Sequence, residues 1–217
     1  MPGQRDGDRN DRPSIPILDQ LLTKGIGPLL TGRSATPPVP FDRCYWVKPG
    51  LLLVGPYPGA ADPKEARARI DMLVTAGIRC VLSLMEPPEV DQEGRPFEPY
   101  IPLLEASAAA HGVRIECLNM PIRDFGAPTR AFMSSILDVI DARIMVPNPK
   151  PMFVHCWGGL GRTGTVVGCW VARHGTASGK SALEMIQHLR RRDAGSSLDS
   201  PQTRLQRALV RSWHRGE

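Results

Sequence analysis

Met152-Phe153-Val154-His155-Cys156-Trp157-Gly158-Gly159-Leu160-Gly161-Arg162-Thr163-Gly164 is the stretch whose reading decides the fold. Apolar and β-favouring residues run into a cysteine, a glycine-rich turn follows, and an arginine stands where the apolar run 165–170 begins a helix. The order is strand, tight loop, helix. A loop of this kind turns several backbone N–H groups toward one point, with the positive end of the helix behind them. Such a nest favours the anionic, nucleophilic form of a thiol, and Cys156 stands at its centre.

Working outward, strands and helices alternate. Tyr45-Trp46-Val47 and Leu51-Leu52-Leu53-Val54 flank Lys48-Pro49-Gly50 and predict a hairpin. Asp62 caps a helix with Pro63 in its first turn, Ala66, Ile70, Leu73 and Val74 form its apolar face, and Gly77 stops it. The short apolar run 80–84 has the character of a strand buried on both faces, and 86–99 is a loop. A helix over 100–111, a strand over 113–118 and a second loop over 121–128 follow. The next helix, 129–144, turns Phe132, Ile136, Leu137 and Ile140 inward, and the loop at Cys156 leads to helices over 163–174, 180–191 and 202–213. This order predicts an α/β fold: a mainly parallel central sheet flanked by helices in a three-layer sandwich, with right-handed crossovers. The loops 121–128 and 156–162 then lie together at the C-terminal ends of strands, where such folds place their sites.

A chain of 217 residues, 41% hydrophobic, buries one sizeable core. The expected organisation is a flexible N-terminal arm over 1–40, polar and proline-rich up to Thr36-Pro37-Pro38-Val39-Pro40, and one domain over 41–217. A short docking helix is expected over 15–22. No run approaches the ~18 apolar residues of a membrane span, and Arg5, Asp6, Asp8, Arg9, Asp11 and Arg12 replace an apolar leader. Cys44, Cys80, Cys117, Cys156 and Cys169 are odd in number and lack metal-ligand spacing. A reduced, cytoplasmic monomer without metal or other cofactor, disulfide framework or membrane contact is expected. The net charge of +5 is concentrated in residues 162–217, with ten Lys/Arg against four Asp/Glu. Arg190, Arg191 and Arg192 end a helix, where cations offset the dipole, so a solvated face is expected there and no nucleic-acid partner.

Three other readings of the glycine loop are weaker. Gly159, Gly161 and Gly164 fit a dinucleotide-binding spacing with Glu184 twenty residues on, but Glu184 falls in a helical pattern and no further βαβ units follow. A Walker loop fails because no Gly-Lys-Ser/Thr is present. A merely buried thiol leaves Arg162 and the glycines without a purpose.

His155-Cys156-Trp157-Gly158-Gly159-Leu160-Gly161-Arg162 resembles the active loop of the cysteine-based protein tyrosine phosphatase superfamily, and within it the dual-specificity branch of kinase-associated type. The resemblance covers about residues 41–213. It implies that Cys156 attacks phosphorus, that Arg162 binds two oxygens as a bidentate fork, and that backbone N–H groups of Trp157, Gly158, Gly159, Leu160, Gly161 and Arg162 hold the equatorial oxygens. Thr163 donates to the sulfur, and His155 orients the loop. Met120-Pro121-Ile122-Arg123-Asp124-Phe125-Gly126 resembles the family's general-acid loop and points to Asp124, although the tryptophan that many relatives carry before the aspartate is absent. Gln202 resembles the glutamine that positions the hydrolytic water. Arg123 and Arg130, flanking the acid, are expected to be solvated loop residues.

The implied activity is metal-independent phosphomonoester hydrolysis on a phosphorylated protein substrate. An inositol-phosphate or phospholipid phosphatase and a phosphate-binding pseudophosphatase are its rivals. The loop carries no lysine, which favours the phosphoprotein, and both cysteine and arginine are present, which disfavours the pseudoenzyme. A thiol enzyme of rhodanese or arsenate-reducing type would need a second cysteine, and Cys169 has no spacing that demands the role.

Overall fold

Lys48-Pro49-Gly50 does turn the chain back on itself: β1 (Tyr45–Lys48) pairs antiparallel with β2 (Leu52–Gly55), and the Leu51 N–H donates to the Lys48 carbonyl at 3.0 Å. The computed structural model describes residues 36–91, 93–193 and 195–217; the helix expected over 15–22 and all but residues 36–40 of the expected arm lie outside them.

Helix α1 (Pro63–Thr75) begins on Asp62, whose side chain accepts from the Lys64 N–H, and buries Ala66, Ile70, Leu73 and Val74. It leads to β3 (Cys80–Ser83), α2 (Ile101–Ala110), β4 (Glu116–Asn119), α3 (Arg130–Ile144), β5 (Met152–His155), α4 (Gly161–Arg173), α5 (Gly179–Leu189) and α6 (Arg204–Arg211). The sheet order is β1-β2-β5-β3-β4, and every pair but β1–β2 is parallel. Successive strand residues alternate between two cores. Leu53, Val81 and Phe153 face α1 and α2; Leu52, Val54, Leu82, Met152 and Val154 face the layer of α3 to α6. The fold is the mainly parallel three-layer α/β sandwich read from the sequence.

Two local expectations change. In α3 the buried row is Met133, Ile136, Leu137, Ile140 and Ile144; Phe132 is only partly buried, because Met133 continues the i, i+3, i+4 row toward Ile136 and Leu137. Arg190 is not solvated: it is fully buried at the C-cap of α5, while Arg191 and Arg192 are exposed. Glu184 lies inside α5, paired with Lys180 at 3.2 Å, which removes it from any dinucleotide role.

Registration of the parallel strands decides where a site can form. Gly55, His155, Ser83 and Asn119 are the last residues of β2, β5, β3 and β4, and they stand side by side in the ladder. Four loops therefore leave one edge of the sheet, and β5 lies between β2 and β3. Cys156, the residue after β5, is delivered to the middle of that edge.

Candidate active site

The loop after β5 is shorter than expected, because α4 starts at Gly161 and takes Gly161, Arg162 and Thr163 into its first turn. Leu160 at the N-cap offers no side-chain hydrogen bond, and the first intrahelical bond is from the Gly164 N–H to the Leu160 carbonyl at 3.1 Å. The first-turn N–H groups thus stay directed at the loop. α4 is buried from Gly161 to Ala172, so its position is set by packing on every side. Gly159 has φ +70, and a Cβ there would lie 2.7 Å from the Gly55 carbonyl carbon; conformation and space both require glycine.

Cys156 is buried, and its Sγ accepts a hydrogen bond from Thr163 Oγ1 at 3.1 Å. Behind it, His155 Nε2 is 2.8 Å from the Tyr100 hydroxyl and Nδ1 is 3.2 Å from the Cys156 carbonyl. A carbonyl only accepts, so Nδ1 carries the proton and Nε2 accepts from Tyr100. Burial, together with the Arg162 charge, pushes His155 down to about 4, in keeping with a neutral ring. Tyr57 and Tyr100 pack edge-on to that ring at 5.8 and 5.3 Å, and Phe97 meets Trp157 at 5.8 Å. The Trp157 side chain is thereby engaged in the aromatic wall.

Arg162, 1% exposed, is forked onto Glu89: Nη2 donates to Oε2 at 2.9 Å and Nη1 to Oε1. Nη2 also lies 3.1 Å from Asp124 Oδ1, and Nη1 donates to the Ile122 carbonyl at 3.3 Å. Glu89 comes from the loop after β3 and Asp124 from the loop after β4, so three strand ends contribute to one cluster. The Glu89 and Asp124 side chains are 14% and 36% exposed, and the carboxylates form the open side of a guanidinium that is otherwise enclosed.

Gln202, exposed, precedes the N-cap of α6; its Oε1 lies 2.7 Å from where a Gly161 Cβ would be, at the rim of the loop. Gln206 is the more firmly held glutamine. It is fully buried, donates from Nε2 to the Gly126 carbonyl at 2.9 Å, and accepts from the Gln202 and Thr203 N–H groups. It ties the acid-bearing loop to α6. Arg123 is exposed as expected, but Arg130 is engaged: it pairs with Glu217 at 2.5 Å and covers the Trp213 ring at 4.8 Å.

The structure therefore brings Cys156, Thr163, Arg162 and Asp124 together, sets His155 beneath the loop and leaves Gln202 at its edge. Glu89, Tyr57, Tyr100 and Gln206 were not singled out from the sequence. Their side-chain contacts with the site span 55 to 98 residues, except that of Gln206 with its own helix cap. One signal was available for Glu89: it is a carboxylate in a loop leaving the same strand edge as Asp124.

This fold, with a thiol, an arginine fork and a carboxylic acid gathered at its parallel edge, is that of a cysteine-based phosphatase. A family model described as Swiss Army Knife protein, DSP-PTPase phosphatase domain, matches residues 41–208, and the chain belongs to that family. An uncharacterized protein of Methanocaldococcus jannaschii is 43% identical over 75 residues, which are 35% of this chain and 44% of that protein. Protein tyrosine phosphatase domain-containing protein 1 of Bos taurus is 25% identical over 126 residues, 58% of this chain and 15% of that protein. The chain thus covers less than half the length of these relatives. Among solved structures, kinase associated phosphatase with its catalytic site cysteine replaced by serine superposes with a TM-score of 0.59 at 19% identity, over 81% of this chain and 94% of the other. Tk-PTP in its active form gives 0.57 at 24% identity, over 77% and 93%. The core catalytic domain of the PP-IP phosphatase SIW14 from S. cerevisiae gives 0.53 at 17%, over 81% and 87%.

Proposed function

We propose that residues 41–217 form a metal-independent phosphatase domain that hydrolyses phosphomonoesters on phosphoproteins through a phosphocysteine intermediate. The observation that carries this reading is the 3.1 Å contact between Arg162 and Asp124, which sets a carboxylic acid from one strand end beside the arginine of the loop at another. Substrate phosphate enters over Cys156 and takes Arg162 Nη2 in exchange for Asp124. The guanidinium fork and the loop N–H groups then hold the three non-bridging oxygens. Cys156 Sγ attacks phosphorus in line with the ester oxygen. The bond from phosphorus to that oxygen breaks as Asp124, released from Arg162 and carrying the proton, delivers it to the leaving oxygen. In the second step Asp124 takes a proton from a water that Gln202 orients, the water oxygen bonds to phosphorus, and the P–S bond breaks to release phosphate. The Thr163 hydroxyl, already on Sγ, stabilises the departing thiolate.

Magnitudes divide the work. An ordinary cysteine thiol of pKa ~8.5 is about 3% ionised at neutral pH, so complete ionisation gains at most roughly 30-fold. Phosphate monoesters are far slower than that, and the larger share falls to the fork and the N–H groups. Charge supports the phosphoprotein over the inositol phosphate as substrate. The Arg162 guanidinium faces two carboxylates, Glu89 and Asp124, and the loop holds no lysine, a poor setting for a polyphosphorylated ring and an adequate one for a single phosphoryl group.

The test is turnover of para-nitrophenyl phosphate, a phosphopeptide panel and an inositol-phosphate panel by wild type and Cys156→Ser, with and without a chelator. Wild type is expected to turn over the aryl phosphate and phosphopeptides with chelator present, and Cys156→Ser to be inactive while folded. Turnover surviving in Cys156→Ser sinks the mechanism; faster turnover of inositol phosphates than of phosphopeptides reverses the substrate assignment.

A further inference from the structure

The carbonyl groups of the loop are held from outside by donors scattered through the chain. His155 Nδ1 serves the Cys156 carbonyl at 3.2 Å, the Tyr57 N–H serves Trp157 at 2.9 Å, Arg43 Nη2 serves Gly158 at 2.6 Å and Ser200 Oγ serves Leu160 at 2.8 Å. In a trans peptide the C=O and the following N–H point in opposite directions. Each bond that draws a carbonyl outward therefore turns the next N–H into the loop.

The Gly158–Gly159 unit most needs such a clamp. Both of its flanking residues are glycines, so no side chain opposes rotation of that peptide, and its N–H is lost to the loop if the plane turns over. Its clamp is a side chain 115 residues away. Arg43 is itself held in an unusual way: φ is +67, a left-handed conformation that side chains other than glycine rarely adopt, and native structures retain such backbone strain where the surroundings over-determine it. Arg43 has no carboxylate partner among the described residues, so the guanidinium charge also remains beside the loop. Gly195, whose carbonyl Arg190 holds at 2.8 Å, backs its Nε, with 3.4 Å to the place of a Cβ.

We propose that Arg43 is a positioning residue of the phosphate loop: by holding the Gly158 carbonyl it aims the Gly159 N–H at an oxygen of the bound phosphoryl group. The proposal rests on the phosphatase reading above. Its test uses the full chain with Arg43→Met and Arg43→Lys, measuring the inhibition constant of orthovanadate, kcat and KM for para-nitrophenyl phosphate, and the melting temperature. Arg43→Met is expected to weaken vanadate and lower kcat/KM by roughly 10- to 100-fold, somewhat less than outright deletion of an oxyanion donor costs. Arg43→Lys, which keeps one donor, is expected to recover part of both at an unchanged melting temperature. If Arg43→Met is not recovered folded, Arg43→Lys carries the test through a several-fold rise in the vanadate constant. Vanadate affinity equal to wild type in the folded variants overturns the proposal alone. So does a loss of activity that follows melting temperature and is no smaller in Arg43→Lys. Wild type that neither binds vanadate nor turns over substrate overturns the phosphatase reading and this proposal with it.

Discussion

Arg162 and Arg190 are both buried arginines, and their surroundings differ in kind. Arg190 is closed by Asp193, three residues on, at 3.1 Å and by the carbonyls of Gly195 and Leu198 at 2.8 and 2.9 Å. Besides a long contact of 3.4 Å to the partly exposed Gln187 side chain, its partners are main chain or nearly buried, and they are fixed by the turn after α5. Arg162 is closed by two carboxylates on loops from other strands, both partly open to solvent. Under the function proposed above, the same group under the same burial is an anchor where its partners are fixed and a phosphate contact where one of them can be exchanged.

Exchanging Arg162 for lysine should break this contrast most sharply. Lysine keeps the charge and loses the fork, and with two oxyanion contacts affected kcat/KM is expected to fall roughly 10⁴-fold, about 5 kcal/mol, in an aryl phosphatase assay. Arg190→Met should invert the pattern. Leaving Asp193 buried without its cation is expected to cost about 3–5 kcal/mol in denaturant unfolding, with turnover per folded molecule within the same order of magnitude as wild type.

Acid should act on the Arg162 side through His155. Its folded pKa of about 4 lies below the ordinary 6.5, so the unfolded chain binds the extra proton first. The stabilisation is complete above pH 6.5 and is lost as pH falls through 4, about 3 kcal/mol in all. In His155→Asn, the slope of stability against pH between 6.5 and 4 should flatten, and an unchanged slope would remove His155 as its source. The smallest expected effect is that of Glu89→Gln. Losing the carboxylate that stays on Arg162 when phosphate replaces Asp124 should misalign the fork and lower kcat about tenfold, about 1.4 kcal/mol, with little change in melting. A value equal to wild type would make Glu89 a bystander.

The layer architecture was legible because its punctuation is local. Asp62 and Pro63 start a helix by capping and by fixed φ, and the apolar residues 66, 70, 73 and 74 turn inward at helical spacing. Cys156, Arg162 and Thr163 were legible for the same reason, since one loop and one helical turn contain them. What the sequence concealed depends on tertiary distance. Glu89 and Arg162 are 73 residues apart, and no periodicity relates them. Arg190 was misread because a cation in the last turn of a helix satisfies the dipole whether it is solvated or buried; only the placement of Asp193, Gly195 and Leu198 around it separates the two. Phe132 yielded to Met133 because a shift of one residue, 100° around a helix, leaves the sequence pattern almost as good.

The alignment of Gly55, Ser83, Asn119 and His155 along one sheet edge carries an engineering consequence. The proposed nucleophile Cys156 and its proposed clamp Arg162 are rooted in β5 and a helix buried from Gly161 to Ala172, while Asp124 and Glu89 ride on separate loops that share no strand with them. Those loops are interchangeable parts in principle: grafts between Ser83 and Tyr100, or between Asn119 and Thr129, would present new substrate contacts to an untouched nucleophile. The molecule is in this sense a fixed reaction head with replaceable jaws.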